Sequence, residues 1–230
     1  MTKISFLIFT HNEPTFYLKE LFARLNEHRK NFPEDEVVVV DDFSSDPDFL
    51  ACLAEAENVF HYKVVKHALN NDFGAHKNFG TDQCTGDFVF QIDADEFPHE
   101  DLLSIVRELV ESNPEVDVYA IPRVNLITGL TEEAAKKWGW HVSQIPGFTD
   151  PVINWNSGDY QRRLYRRSPD IRWFKRLHET LTGYKTQAVL PKEVSYALIH
   201  HKTIDRQENQ NKFYLKNFTQ NENMGGTIQK

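Results

Sequence analysis

Two carboxylates two residues apart, Asp93 and Asp95 in the stretch Gln91-Ile92-Asp93-Ala94-Asp95-Glu96, carry the sharpest chemical signal in this chain. On extended backbone, side chains at i and i+2 point the same way, so the pair is placed to share one divalent cation or to clasp a metal-bound diphosphate. Hard oxygen donors favour Mg2+ or Mn2+. The competing reading is structural: Asp95 and Glu96 precede a helix start at Pro98 and would cap it. A second acidic pair, Asp41-Asp42, follows the run at 37–40. A carboxylate there can accept hydrogen bonds from a nucleobase N–H or from ribose hydroxyls. The alternative is a turn closed by Asp and Ser side chains.

Cations crowd one later stretch: Arg162, Arg163, Arg166, Arg167, Arg172, Lys175 and Arg176, opposed only by Asp170. Guanidinium groups suit bidentate contact with phosphate, which makes this a candidate diphosphate or acidic-acceptor face. Strand alternation would put Arg163 and Tyr165 on one face and Arg162, Leu164 and Arg166 on the other, so not all reach one ligand. His178-Glu179 follows directly. A carboxylate near an anionic diphosphate can act as the general base for an acceptor hydroxyl, unless it serves only as an ion-pair partner of the arginines. In His200-His201, one imidazole could complete a metal shell or contact a leaving diphosphate, with the other packed on the sheet. Trp138 and Trp140 would stack on a sugar ring or fill the core, with core expected for at least one of them.

These residues need strand ends and loops to hold them. The apolar runs at 4–9 and 37–40, a strand over 59–65 and the alternating segment 87–92 read as four strands; the first, second and fourth end in Asn or Asp. Leu18, Leu21, Phe22 and Leu25 mark one helix, residues 74–80 a short one, and Leu102, Leu103, Val106 and Leu109 another. This rhythm implies a parallel α/β sheet with ligands at the carboxyl ends of its strands. Beyond residue 116 the pattern changes to strands over 118–124, 161–167 and 193–200, an irregular stretch over 127–158, and a polar helix over 204–220. Residues 221–230 are expected to form a flexible tail.

The 230 residues suffice for one substantial core. A net charge of -8 argues against coating nucleic acid or an anionic membrane through bulk charge. Cys52 and Cys84 form no disulfide framework, no apolar run is long enough to span a bilayer, and a cytoplasmic setting is expected.

Taken in order, the motifs resemble the inverting family 2 glycosyltransferases of the GT-A fold. The first strand with Thr10-His11-Asn12-Glu13 looks like the family's first nucleotide-binding loop, and VVVVDDFSSD is similar to its V-D-D-x-S-x-D signature. NDFGAHKNFGTDQCTGDFVFQIDADE resembles the stretch running through an x-N-x-G helix to the metal-binding D-x-D. RRLYRRSPDIRWFKRLHETL is most similar to the small subgroup that includes lipopolysaccharide-core glucosyltransferases. Phe43 departs from the glycine usual after the Asp pair.

The resemblance implies a Rossmann-like, mostly parallel sheet flanked by helices, with a smaller mixed β region on the acceptor side. One domain would cover 1–220, divided into a nucleotide-sugar-binding half (1–97) and an acceptor-binding half (98–220). Thr10, Asn12, Glu13, Asp41, Asp42, Asn71, Lys77, Asn78, Asp93, Ala94, Arg163 and Arg166 would contact the donor, UDP-glucose being favoured. Asp93 and Asp95, with His200 or His201, would hold Mn2+ or Mg2+; Glu179, with His178, would be catalytic. The implied acceptor is a glycan or glycolipid, reached in the cytoplasm or at the inner membrane face. A hydroxylated base in nucleic acid, or a binder without turnover, is the alternative.

Overall fold

The computed structural model describes residues 2–220 and 222; the tail expected over 221–230 otherwise lies outside the described residues. β1 (Ile4–Thr10) is buried on both faces, as its unbroken apolar run requires, and pairs in parallel with β2 (Glu36–Asp41) and β4 (Phe88–Asp93). β3 (Lys63–Lys66) extends the parallel set beyond β2. The crossovers are α1 (Thr15–Asn31), α2 (Pro47–Asn58) and α3 (Phe73–Gln83).

β3 is shorter than the expected 59–65 strand, because α2 reaches into that stretch. Asp46 caps α2 by accepting from the Phe49 N–H, Pro47 opens its first turn, and the Val59 N–H still donates to the Glu55 carbonyl at 2.9 Å.

After β5 (Glu96–Pro98) comes α4 (Glu100–Ser112), capped by His99 rather than by Asp95 or Glu96. β6 (Val118–Thr128) runs beyond its expected end. The 127–158 stretch then holds α5 (Glu132–Trp138), β7 (Val142–Ser143) and β8 (Val152–Ile153), so it is less irregular than its sequence suggests. β9 (Tyr160–Arg166), β10 (Arg172–Phe174), β11 (Thr180–Thr182) and β12 (Gln187–Val189) follow. The strand expected over 193–200 begins instead as a 3-10 turn (Val194–Tyr196), and β13 (Leu198–Thr203) leads into α6 (Ile204–Asn217).

The main sheet has the order β3-β2-β1-β4-β9-β6-β13-β5. β9 lies antiparallel between β4 and β6, which carries a segment from late in the chain to the edge where β4 ends. Alternation along β1 divides the core. Phe6 and Ile8 face α1, α2 and α4 together with Leu18, Leu21, Phe49, Leu102 and Val106. Leu7 faces the other way, into a cluster with Val38, Val89, Tyr165 and Trp173. Each fully buried Leu contributes roughly 1.5–3 kcal/mol relative to exposure.

Two glycines allow close approach on that second side. A Cβ at Gly80 would lie 2.6 Å from the Phe9 ring, and one at Gly74 would lie 2.4 Å from the Lys175 carbonyl oxygen.

Candidate active site

Parallel pairing sets Thr10 beside Asp41 and Phe9 beside Asp93, so β1, β2 and β4 deliver polar residues to one carboxyl edge. The loop after β1 folds back on itself: the Thr10 hydroxyl and the His11 N–H both donate to the Glu13 carboxylate. Asn12, with φ at 51°, accepts from the Ser45 and Asp46 N–H groups at 2.9 Å each and thereby ties this loop to the one after β2. Asp41 is fully buried and closes the turn through the Ser44 N–H at 3.2 Å. Asp42 accepts from the Leu69 N–H at 2.9 Å and keeps a quarter of its side chain open to solvent. Of the acidic pair, Asp42 is therefore the one free to meet a ligand.

β4 ends at Asp93, and Ala94-Asp95 form a turn before β5. This turn replaces the extended geometry that would aim both carboxylates alike, and each has its own cation. Asp93 is paired with Arg163 and accepts from Gln91 Nε2 at 2.7 Å. Asp95 lies 3.5 Å from His200 Nε2 and 3.4 Å from Arg206 Nη2. Burial opposes ionisation of Asp93, but Arg163 and then Lys77 outweigh it and hold the carboxyl well below the usual range. Asp95 is lowered in the same way, burial being overcome by His200, Arg206 and Lys202. Arg163 also contacts Glu96, which is fully buried and shared with Arg123 at 3.1 Å.

The carboxylates of Asp93 and Asp95 are the hard donors a divalent cation takes. Among the described residues, no three His, Cys, Asp or Glu side chains cluster so as to hold a metal ion. A divalent cation held by Asp93 or Asp95 would need further ligands from outside these side chains.

Opposite this edge, α3 carries Lys77 into an ion pair with Glu179, and its ammonium lies 4.4 Å from the centroid of the Trp173 ring. Burial would raise the Glu179 pKa, but the Lys77 charge and hydrogen bond, with Arg163 adding to them, bring it below the ordinary carboxylate range. His178 sits at φ 50° with its ring 6.4 Å from that of Tyr214. From the other side, β13 and α6 supply His200, Lys202, Arg206 and Tyr214. Arg206 bridges Asp95 and Glu13, 3.6 Å from the latter. His200 is buried, hydrogen-bonded through Nδ1 to Asn125 at 2.8 Å, and its pKa is lowered by burial against the pull of Asp95.

An acidic edge at Asp93 and Asp95, a guanidinium near each of them, and the Glu179 carboxyl with its lowered pKa are thus gathered around the end of β4. The sequence profile of Glycosyl transferase family 2 matches residues 5–198. The chain belongs to this family.

Two curated relatives are each named undecaprenyl-phosphate 4-deoxy-4-formamido-L-arabinose transferase. The protein from Proteus mirabilis (strain HI4320) is 30% identical over 173 residues, covering 73% of this chain and 50% of its own length. That from Pseudomonas fluorescens (strain Pf0-1) is 36% identical over 109 residues, covering 46% and 32%. This family 2 chain thus spans about half the length of the first. These relatives do not single out the lipopolysaccharide-core subgroup. The crystal structure of Staphylococcus aureus TarS 1–349 in complex with UDP-GlcNAc superposes with a TM-score of 0.58 at 21% identity, covering 87% of this chain and 58% of that one. The shared architecture is the GT-A fold.

Several family-matched residues take structural places. The Asn78 side chain clamps the Trp173 backbone at both ends, donating at 2.8 Å and accepting at 2.9 Å. Asn71, at φ 55°, accepts through its carbonyl from Arg176. The Ala94 methyl is in the core. Arg166 is not at this edge. β9 runs antiparallel to β4, so the three residues from Arg163 lead back to Phe88, where Arg166 meets Asp117 at 3.2 Å.

His201 faces Thr128 at 2.7 Å and Asp150 at 3.1 Å, away from Asp95. Trp138 and Trp140 pack on each other, ring centroids 4.7 Å apart, and neither is buried in the core. Arg206, Lys202, Arg123 and Tyr214 went unread in the sequence. The signal for Arg206 is its position in the first turn of the helix that directly follows the paired histidines.

Proposed function

We propose that this chain is a metal-dependent, inverting glycosyltransferase that moves a hexose, glucose being favoured, from a nucleoside-diphosphate sugar such as UDP-glucose to a hydroxyl of a glycan or glycolipid. The observation that carries this reading is the ionised Glu179, held by Lys77, with Arg163 interacting with both Glu179 and Asp93. On this reading the base, Glu179, and the diphosphate-side acid, Asp93, would share the influence of Arg163.

In the proposed step, Glu179 takes the proton from the acceptor hydroxyl, whose oxygen attacks the anomeric carbon as the bond to the diphosphate oxygen breaks. The electron pair leaves on the nucleoside diphosphate. Asp42 would orient the nucleoside, while Arg163 and Arg206 would compensate the developing negative charge. A divalent cation held with Asp93 and Asp95 would supply further neutralisation of the leaving group.

The names of the curated relatives make a polyprenyl phosphate the first lipid to test beside glycans, and contact with such a carrier would be peripheral. No helix among the described residues is long and apolar enough to cross a membrane. The division into a donor half (1–97) and an acceptor half (98–220) belongs to the same proposal, with β9 carrying Arg163 from the second half to the first.

The test is incubation with UDP-glucose and an acceptor panel, with and without chelator, reading the released nucleotide and the anomeric configuration of the product by NMR. Chelator-sensitive transfer with inversion is expected. A product of retained configuration, or release of pyrophosphate, would overturn the reading.

A further inference from the structure

Phe43 is at odds with folding on two counts. Its φ is 50°, in the left-handed region that a β-carbon disfavours and that bulky residues rarely enter. Its side chain is also 58% exposed, so it returns little core burial for that strain. The flanking residues impose the conformation. Asp42 is held through its N–H to the Thr10 carbonyl at 2.9 Å and through its carboxylate to Leu69. Ser44 is held by Asp41 on one side and by the Asn12 N–H on the other, at 2.9 Å. Phe43 thus caps a loop pinned at both ends and directly follows Asp42, whose carboxylate is partly open. Strained residues persist where the surrounding structure over-determines them, and they gather at ligand sites.

We propose that Phe43 is the nucleobase platform of the donor site: the face of its ring stacks on the base while Asp42 accepts from a base N–H. This rests on the nucleotide-sugar reading above and adds to it the residue that supplies affinity for the heterocycle. Because every base has a π face, the ring provides affinity and the carboxylate provides the choice of edge. The neighbouring His11 ring is also exposed, and its Nδ1 lies 2.6 Å from the Asp42 carbonyl oxygen.

The test compares wild type with Phe43→Asn, which tolerates left-handed backbone but has no ring face, and with Phe43→Trp. Each is titrated calorimetrically, with Mg2+, against UDP, GDP, CDP, ADP and inorganic pyrophosphate, and each is melted. Phe43→Asn is expected to bind the preferred nucleoside diphosphate roughly tenfold more weakly, to bind pyrophosphate like wild type, and to melt no lower. Phe43→Trp is expected to keep the nucleotide affinity.

Unchanged nucleotide affinity in Phe43→Asn, an equal loss for pyrophosphate, or a melting point lowered by several degrees would overturn the platform and leave the donor reading standing. Wild type that binds none of the four nucleotides would overturn both, and that result is visible before any variant is compared.

Discussion

Lys77 and Glu179, 102 positions apart in the chain, form one partly buried ion pair at the junction of α3 and the segment before β11. The lysine lowers the carboxyl pKa, which burial alone would raise.

If Glu179 is the base, Glu179→Gln should lower transfer to a hydroxyl acceptor by about 10²–10⁴-fold while leaving donor affinity near that of wild type. Turnover assays and nucleotide titrations read the two effects separately. A phosphate acceptor is already ionised at neutral pH and needs no base, so the same variant should lose far less activity on a polyprenyl phosphate. Equal losses on both acceptor classes would count against this role.

Replacing Lys77 tests what sets the charge on Glu179. In wild type the lowered pKa keeps the carboxylate ionised through the neutral range, so the acid limb of kcat/KM should fall below the ordinary glutamate value of about 4.3. Lys77→Met removes the largest influence opposing burial, and the limb should move up. An unmoved limb would mean that Arg163 alone sets the charge, or that another group is titrating.

Asp95→Asn should weaken metal-dependent nucleotide binding by at least about tenfold, because the amide is a poorer ligand for a hard cation. Titration of UDP with Mn2+ and then with chelator reads this directly. Asp93→Asn should lose less stability than deletion of Arg163. Arg163 keeps Glu96 as a partner at 2.9 Å when Asp93 is neutral, whereas removing the arginine takes its cation from Asp93 and leaves the buried Glu96 with Arg123 alone. Metal-dependent affinity unchanged in Asp95→Asn would remove the acidic turn from the donor site.

What the sequence disclosed follows the range of the forces involved. The strands ending at Thr10, Asp41 and Asp93 were legible because parallel strands buried on both faces must be continuous apolar runs. α2 was hidden because its local cues, Asp46 and Pro47, sit in a stretch also rich in turn residues, and Val59 at its end resembles a strand start. Alternation correctly separated Arg163 from Arg166 by face, but only the antiparallel register with β4 shows that they also lie at different ends of the sheet. The Lys77–Glu179 pair and the Arg206 bridge are long-range contacts, and periodicity carries no information about those. His200 and His201 alternate across β13, so one faces Asp95 and the other Asp150; the sequence could not say which.

The last prediction concerns stability. His67 and His76 meet Nδ1 to Nδ1 at 2.9 Å, an arrangement that requires one ring to donate and the other to accept, so both cannot be protonated. Burial, and then the neighbouring His67, lower the His76 pKa to about 4, against 6.5 for the free side chain. The unfolded chain therefore binds this proton more readily than the folded one. The stability from a neutral His76 is complete above pH 6.5 and is lost progressively as the pH falls from there to about 4. The loss at the acid end should be on the order of 2–3 kcal/mol.

His200, also lowered, acts in the same direction, so the His76 share must be isolated by a variant. His76→Phe places a ring beside Phe9, whose centroid lies 5.0 Å from that of His76, and removes the titration. Chemical denaturation at pH 7, 5.5 and 4.5 should show a shallower decline in His76→Phe than in wild type, whatever the variant's stability at pH 7. Parallel declines would show that the histidine pair adds nothing to the acid sensitivity of the fold.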